Sequence, residues 1–224
     1  RNSGTGKVTV DILVEAGALL SPQLLMLSGI GPGAELQAMG IQTLHDLPGV
    51  GRNLQDHIDY VVPYKVKTTE ETFGVSLSGG LRLAGAALEW KKKRSGVIAS
   101  PFAEAGAFSR SAPGLAAPDL QFVFVVAVVD DHGRKMHMGH GYSCHVEVLR
   151  PKSRGTVSLA SLDPRAAPSI DPKFLDKQED VDLLLRGAKV QARILESRHF
   201  RPYGPSLIYP VDWNNDASIE QDIR

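Results

Sequence analysis

The apolar positions of this chain switch between two-residue and three-to-four-residue spacing, and the switches mark its elements. Residues 8–14 form an apolar run rich in β-branched side chains, which predicts a buried strand. It feeds a stretch, 17–31, in which Gly17 permits backbone geometry closed to other residues. Ser21 is suited to cap a helix, with Pro22 in its first turn. Leu24, Leu25 and Leu27 would then face a core, and Ser28-Gly29 with Gly31-Pro32-Gly33 would end the helix. Such a strand, glycine turn and capped helix gather bare backbone N–H groups at one point, a setting that suits an anionic cofactor group.

Further along, residues 34–39 predict one or two helical turns ending at Gly40, 41–44 a short strand and 48–51 a turn. From Tyr60 the character changes. Residues 60–66 are β-prone, and 77–94 read as an amphipathic helix with Leu77, Leu81, Ala84 and Leu88 on one stripe. Its basic end, Lys91 to Arg94, lies where the helix dipole favours cations and is read as a solvated helix end. Three β-type stretches follow, 120–129, 142–149 and 155–159, separated by Pro and Gly clusters as in an antiparallel sheet. Residues 176–196 are the clearest helix, with Val181, Leu184, Leu185, Ala188, Ala192 and Leu195 at helical spacing. Residues 202–210 read as a loop, and Asp216 as the cap of a last helix, 217–224. The fold class expected is α+β, a mixed or antiparallel sheet with helices mainly on one face.

Composition narrows the function classes. Lys plus Arg equals Asp plus Glu at 25 each, so nothing argues for a nucleic-acid partner. Hydrophobic residues at 42% over 224 residues supply a substantial core. The single Cys144 excludes an internal disulfide and fits a reducing compartment, so a cytoplasmic or membrane-peripheral location is expected. No apolar run approaches about 18 residues, so no transmembrane segment is predicted. The start at Arg1, with no signal-like segment, suggests a piece of something longer.

Candidate chemistry is sparse in the local patterns. Ser3-Gly-Thr-Gly-Lys7 lacks the earlier glycine and following Ser/Thr of a phosphate loop and reads as a turn. Gly29-Ile-Gly31 and Gly49-Val-Gly51 do not open helices in a GxGxxG pattern. His132, His137, His140 and His145 crowd into residues 130–145, but without i, i+4 spacing, so a polar hairpin loop is preferred to a metal site. His145 falls within a strand pattern, where its imidazole could line a cavity. Asp56-His57 is read first as a structural link and second as an acid–base pair, since sequence neighbours on a strand point to opposite faces. Ser153 has no general base nearby in sequence, so its turn is not read as nucleophilic.

Three pieces of the 15–31 stretch, Ala16-Gly17-Ala18, Ser21-Pro-Gln-Leu-Leu25 and Leu27-Ser-Gly-Ile-Gly31, resemble the second signature of the glucose–methanol–choline oxidoreductases. Leu47-Pro-Gly-Val-Gly-Arg-Asn-Leu-Gln-Asp-His57 and Leu149-Arg-Pro-Lys-Ser-Arg-Gly155 extend the resemblance over nearly the whole chain, nearest the choline and alcohol dehydrogenase branch. The resemblance implies FAD in the intact protein, not retained by this piece alone, with cofactor contacts at Ala16, Gly17, Ser21, Asp56 and His57. It implies a substrate cavity touched by Lys65, Glu104, Val123 and His145. The partners implied are a small alcohol and an electron acceptor other than oxygen. Residues 1–57 would be a remnant of the FAD-binding domain with a connecting segment, and 58–224 the substrate-binding domain.

Departures from the pattern sharpen the expectation. Val123 stands where the choline branch carries histidine, and Lys65 would repel a quaternary ammonium, so a neutral primary alcohol is preferred to choline. Glu15 and Leu20 replace a small residue and Asn at the cofactor-facing turn. Neither the family's GxGxxG nor its His-Pro-x-Gly-Thr segment is in this sequence, so no catalytic residue is expected here. The reading is the substrate-binding portion of an FAD-dependent alcohol dehydrogenase, with choline dehydrogenase and a non-catalytic binding module as the alternatives.

Overall fold

A computed structural model describes residues 16–68 and 72–224. The strand expected at 8–14, Glu15 and the Ser3–Lys7 turn lie outside the described residues. Contacts divide the chain into two compact units: one runs to Gln55 and takes in Arg154–Lys173, the other holds Asp56–Ser153 and Phe174–Arg224. This differs from a single cut after residue 57. The chain returns to the first unit because Gly155 bridges Leu54 and Val157 donates its N–H to the Gly51 carbonyl at 2.7 Å.

The first unit contains α1 (Gly17–Leu27), β1 (Ile30–Gly31), α2 (Gly33–Ala38) and β2 (His45–Asp46). Its returning segment adds β8 (Thr156–Ser158) and β9 (Ser169–Asp171). β1 pairs parallel with β2, which begins directly after the strand expected at 41–44. Helix α1 starts four residues before Ser21, because Gly17 adopts φ +73° and turns the chain into the helix early. Ser21 is therefore not the cap; its Oγ accepts the Ala16 N–H at 3.1 Å, and Pro22 sits inside the helix. Gln23 and Met26 are the buried residues of α1; of the three leucines expected to face a core, Leu25 packs against the Met26 cluster, Leu27 is half-buried and Leu24 is 47% exposed. Gln23 reaches across its unit to donate to the Ala166 carbonyl at 2.7 Å.

In the second unit, β3 (Ile58–Val66), β4 (Phe73–Val75), α3 (Leu77–Lys93), β5 (Ala105–Ser109), β6 (Leu120–Val125) and β7 (Gly139–Val148) come first. They are followed by α4 (Gln178–Leu195), β10 (Ser206–Leu207) and α5 (Asp216–Ile223). One antiparallel sheet runs β10-β3-β7-β6-β5, with β4 continuing beside β7 at Gly139–Gly141. β10 falls in the stretch expected to be a loop, which its two-residue length explains. Pro63 faces that edge: it has no N–H to give, but its carbonyl accepts from Ile208 at 3.2 Å. β6 ends at Val125 rather than 129, and β7 begins at Gly139 rather than 142.

Every second residue of β3, β6 and β7 enters the core: Ile58, Tyr60, Val62, Tyr64, Leu120, Phe122, Tyr142, Cys144, Val146 and Val148. Helix α4 covers this face with Leu184, Ala188 and Leu195, and α5 adds Ile219. The last helix is capped by Asn215, not Asp216; the Asn215 side chain accepts from Ala217 at 3.0 Å. At the other end of the core, Asp180 in the first turn of α4 accepts from Lys152 N, Ser153 N and Ser153 Oγ at 2.6–2.7 Å. Ser153 is thus a structural tie between the β7 exit and α4. Burial pushes the Tyr60, Tyr64 and Tyr142 phenols upward, with the Asp222 carboxylate adding to the effect at Tyr60.

Helix α3 forms over its expected span, capped by Ser76 Oγ on Gly79 N–H at 2.9 Å, but its stripe is turned outward. Gly79 and Ala86 are its buried residues, and a Cβ on Gly79 would stand 2.3 Å from the Gly74 carbonyl oxygen. Only the small-residue face lets the helix approach β4, so Leu77, Leu81 and Leu88 face solvent.

Two outcomes follow from this packing. Gly187 lets α4 press on the sheet, since a Cβ there would lie 2.6 Å from Val146 Cγ2 and 3.2 Å from Leu120 Cδ2. Gly187→Ala gains about 1 kcal/mol of helix propensity but overpacks a stiff, fully buried valine at about 1–3 kcal/mol, so urea unfolding should show a net loss. Cys144 is 3% exposed, and burial pushes its thiol up to about 11. At about pH 8 only about one such thiol in a thousand is ionised, so iodoacetamide should label the chain only after denaturant is added.

Candidate functional site

The residues of β3, β6 and β7 that do not enter the core share the other face of the sheet, which no helix of the core cluster covers. Asp59 stands directly opposite Glu147, Val61 opposite His145, and Val123 opposite His145 on the other side. Two diagonal contacts cross this ladder: His145 Nδ1 meets Asp59 Oδ2 at 2.7 Å, and His57 Nδ1 meets Glu147 Oε2 at 3.3 Å. The result is a quartet of two imidazoles and two carboxylates. The His145 and Asp59 side chains are 15% and 26% exposed, so this pair is the better shielded of the two. Asp59 holds the His145 ring by one nitrogen and leaves Nε2 for another partner.

Of the residues expected to touch substrate, Val123 and His145 are brought together on this face. Lys65 alternates onto the same face but is four residues from Val61, about 13 Å along the strand, and is exposed. Glu104 lies elsewhere. It lines a cavity of about 290 Å³ with Thr72, Phe124, Tyr142, Phe200 and Tyr203, and its carboxylate accepts from Ser100 Oγ. Phe124 and Tyr142 belong to the core face, so Glu104 and His145 are separated by the sheet.

Among the residues expected to contact a cofactor, Ala16, Gly17 and Ser21 gather at the start of α1. No side chain caps that first turn, and a Cβ on Gly17 would meet nothing within 4 Å among the described residues. Beside it is a cavity of about 390 Å³, lined by Ala18, Pro22, residues 51–55 and Val157. Gly51 is obligatory there: it has φ +74°, and a Cβ would lie 2.1 Å from the Val157 carbonyl oxygen. The uncapped turn, the open glycine and the adjoining cavity fit a phosphate-bearing group. Asp56 and His57 lie in the second unit and bond locally, with Asp56 Oδ1 accepting the His57 N–H at 2.9 Å.

Two more histidines of the 130–145 stretch, His140 and His137, have their own partners. His140 is buried and donates Nδ1–H to the Thr72 carbonyl at 3.1 Å, while Nε2 meets Ser76 Oγ at 2.7 Å. His137 Nε2 meets Asp130 Oδ2 at 2.6 Å, and Tyr209 donates to the same oxygen at 2.6 Å. The Tyr209 hydrogen bond, with help from His137, holds the Asp130 carboxyl below the usual carboxylate value, and the same bond raises the Tyr209 phenol. Among the described residues, no group of three or more His, Cys, Asp or Glu is arranged to hold a metal ion.

Sequence reading missed Asp59 and Glu147. The signal was present as His57-Ile-Asp59 and His145-Val-Glu147, each with an i, i+2 spacing that puts both polar groups on one strand face. What was lacking was the register that opposes the two motifs.

Comparison with known proteins agrees with the motifs. Profiles of the GMC oxidoreductase family match residues 3–59 and 151–223. An alcohol dehydrogenase [acceptor] of Pseudomonas putida is 38% identical over 221 residues, covering 96% of this chain and 39% of that protein. An oxygen-dependent choline dehydrogenase of Rhizobium johnstonii is 36% identical, covering 97% of this chain and 40% of its own length. A formate oxidase variant of Aspergillus oryzae, solved for its effect on FAD modification, superposes with a TM-score of 0.81 at 25% identity, over 92% of this chain and 41% of that one. The chain therefore spans about 40% of the length of these relatives. No helix among the described residues is long and apolar enough to cross a membrane. An acceptor other than oxygen is not supported across the relatives, whose names include both an acceptor-dependent and an oxygen-dependent enzyme. The signatures at both ends of the chain, the antiparallel sheet and the two matching profiles together make this chain a member of the GMC oxidoreductase family.

Proposed function

We propose that this chain contributes part of the FAD site and the substrate-facing sheet of an oxidoreductase that converts a primary alcohol to its aldehyde. The observation that carries the reading is the 38% identity to an alcohol dehydrogenase, sustained over 221 residues and both units. FAD, when bound, supplies the hydride acceptor for the alcohol carbon. The first-turn backbone N–H groups at Gly17 hold an anionic part of the cofactor, and Ala16 and Ser21 shape that turn through their mutual bond. Asp56 and His57 take a positioning role, fixing the entry to β3 through their mutual bond and the contact to Glu147.

Residues up to Gln55 form the FAD-side remnant, and the unit built on the large sheet forms the substrate side. On that sheet, His145 offers Nε2 to the alcohol hydroxyl, Asp59 orients the ring, and Val123 gives an apolar neighbour for the carbon chain. Lys65 on the same face disfavours a quaternary ammonium. Glu104 is assigned to a separate substrate-side cavity. No residue of this chain is assigned the removal of the hydroxyl proton.

The intact protein carrying this chain should purify with visible flavin absorbance, bleached under anaerobic conditions by a primary alcohol. A colourless protein would leave only the non-catalytic binding module, and faster bleaching by choline than by a neutral alcohol of similar size would replace the substrate assignment. Gly17→Val, which adds a branched side chain at φ +73° in the open turn, should weaken flavin binding about tenfold or more. Asp59→Asn should raise KM about threefold to tenfold with little change in kcat, because it loosens orientation without removing the reacting groups.

A further inference from the structure

His140 is 3% exposed, on the sheet face that its strand neighbours Tyr142, Cys144 and Val146 fill as core residues. A buried imidazole needs a partner for each nitrogen. Both partners come from one strap, residues 72–76, which contains β4. Nδ1 lies 3.1 Å from the Thr72 carbonyl, which only accepts, so Nδ1 carries the hydrogen. In the neutral ring Nε2 is then the acceptor and takes the Ser76 hydroxyl hydrogen at 2.7 Å. The same Ser76 oxygen accepts the Gly79 N–H and lies 3.0 Å from Ser78 Oγ, which joins the ring to the first turn of α3. Apolar burial contributes little to this strap. β4 pairs with β7 over three residues, and Gly79 and Ala86 are the buried residues of α3. Phe73 adds an edge contact to Phe102, with 4.7 Å between ring centres, and an N–H bond to the Val126 carbonyl at 2.8 Å. An element with so little apolar burial opens at low cost unless polar ties fix it.

We infer that His140 is a positioning residue, which fixes Thr72 as one wall of the cavity of about 290 Å³ that Glu104 lines. This role rests on the proposed assignment of that cavity to the substrate side. Tyr142, two residues along β7 from His140, lines the same cavity, so one strand sets two of its walls, one directly and one through the ring. Packing alone does not require the imidazole. With an apolar side chain at 140, the Thr72 carbonyl would keep its bond from Arg82 at 3.3 Å, and Ser76 Oγ would keep the Gly79 N–H. No polar atom of the strap would be orphaned. What would be lost is the tie between the strap and β7, and with it the placement of Thr72.

Variants of His140 in the intact protein separate the two bonds. An asparagine amide matches Nδ1 and keeps the donor to Thr72, whereas a glutamine amide matches Nε2 and reaches Ser76 instead. The probe is benzyl alcohol, whose ring suits a cavity lined by Phe124, Tyr142 and Phe200. His140→Leu and His140→Gln should each raise its KM about threefold to tenfold, with kcat within about twofold of the parent. His140→Asn should stay within about twofold of the parent KM. Hydrogen exchange supplies a readout that needs no turnover: the Phe73 amide should exchange about tenfold faster in His140→Leu. If His140→Leu does not fold, His140→Gln carries both readouts. Faster exchange with an unmoved KM overturns the positioning role, since the tie would then be structural only. Unmoved exchange overturns the tie itself, and failure of His140→Asn to hold the parent KM overturns the assignment to Thr72. A yellow protein that does not oxidise benzyl alcohol also overturns the role at the substrate cavity. A colourless protein fails the oxidoreductase reading instead, and exchange at Phe73 then decides the tie alone.

Discussion

The register between β3 and β7 is the constraint on which the second unit depends. Nine consecutive residue pairs, from Ile58 with Val148 to Val66 with His140, are held opposite one another. Side chains on a strand alternate, so this one register sends Tyr60, Val62 and Tyr64 into the core with Tyr142, Cys144 and Val146. The same register sends Asp59, Val61, His145 and Glu147 to the other face. A slip of one residue would bury two carboxylates and expose the tyrosines, which burial energetics forbid. Helix α4 locks the choice from one side only, through Leu184, Ala188 and Leu195.

Small residues set the distances between these layers. Gly187 admits Val146 and Leu120 against α4, and Gly79 admits the β4 backbone against α3. The two cases have opposite results for the helix surfaces. In α4 the glycine lies among leucines and alanines that are also buried, so the apolar face and the contact face coincide. In α3 the contact face is made of Gly79 and Ala86, and the leucines are left on the opposite side. Periodicity locates an apolar stripe, but close approach decides which way it points.

That distinction explains what could be read from residue order. The α4 span, the α3 span and the β3, β6 and β7 strands were legible because spacing and β-branched content agree there. The direction of the α3 stripe was not, because it depends on the Gly74 carbonyl that Gly79 approaches. Nor was the rotation of α1, where Gln23 and Met26 are buried in place of Leu24 and the Gln23 amide is tied to Ala166. Strand β10 was hidden by Pro202 and Pro210 around a two-residue ladder. At the candidate site, Val123 and His145 were legible as strand residues and do meet across β6 and β7. Glu104 was placed with them because the family resemblance put both at the substrate side, yet the sheet lies between them.

The open face carries a conflict that a purely structural sheet would avoid. Asp59 and Glu147 oppose each other directly, and like charges about 5 Å apart repel by about 1–3 kcal/mol across the range of effective dielectric found at protein surfaces. A threonine or valine at either position would remove that repulsion and suit a strand better. Each carboxylate instead reaches diagonally to an imidazole, Asp59 to His145 and Glu147 to His57. An imidazole–carboxylate hydrogen bond returns about 0.5–1.5 kcal/mol net, so the two together do little more than offset the repulsion. What the arrangement does provide is a fixed ring at His145, held through one nitrogen beside the apolar Val123, with the other nitrogen left for a partner. A locally unfavourable pattern that nevertheless fixes a side chain is the kind of departure from the fold's own rules that the proposed role of His145 calls for. In this sheet the departure is confined to the face that α4 does not cover.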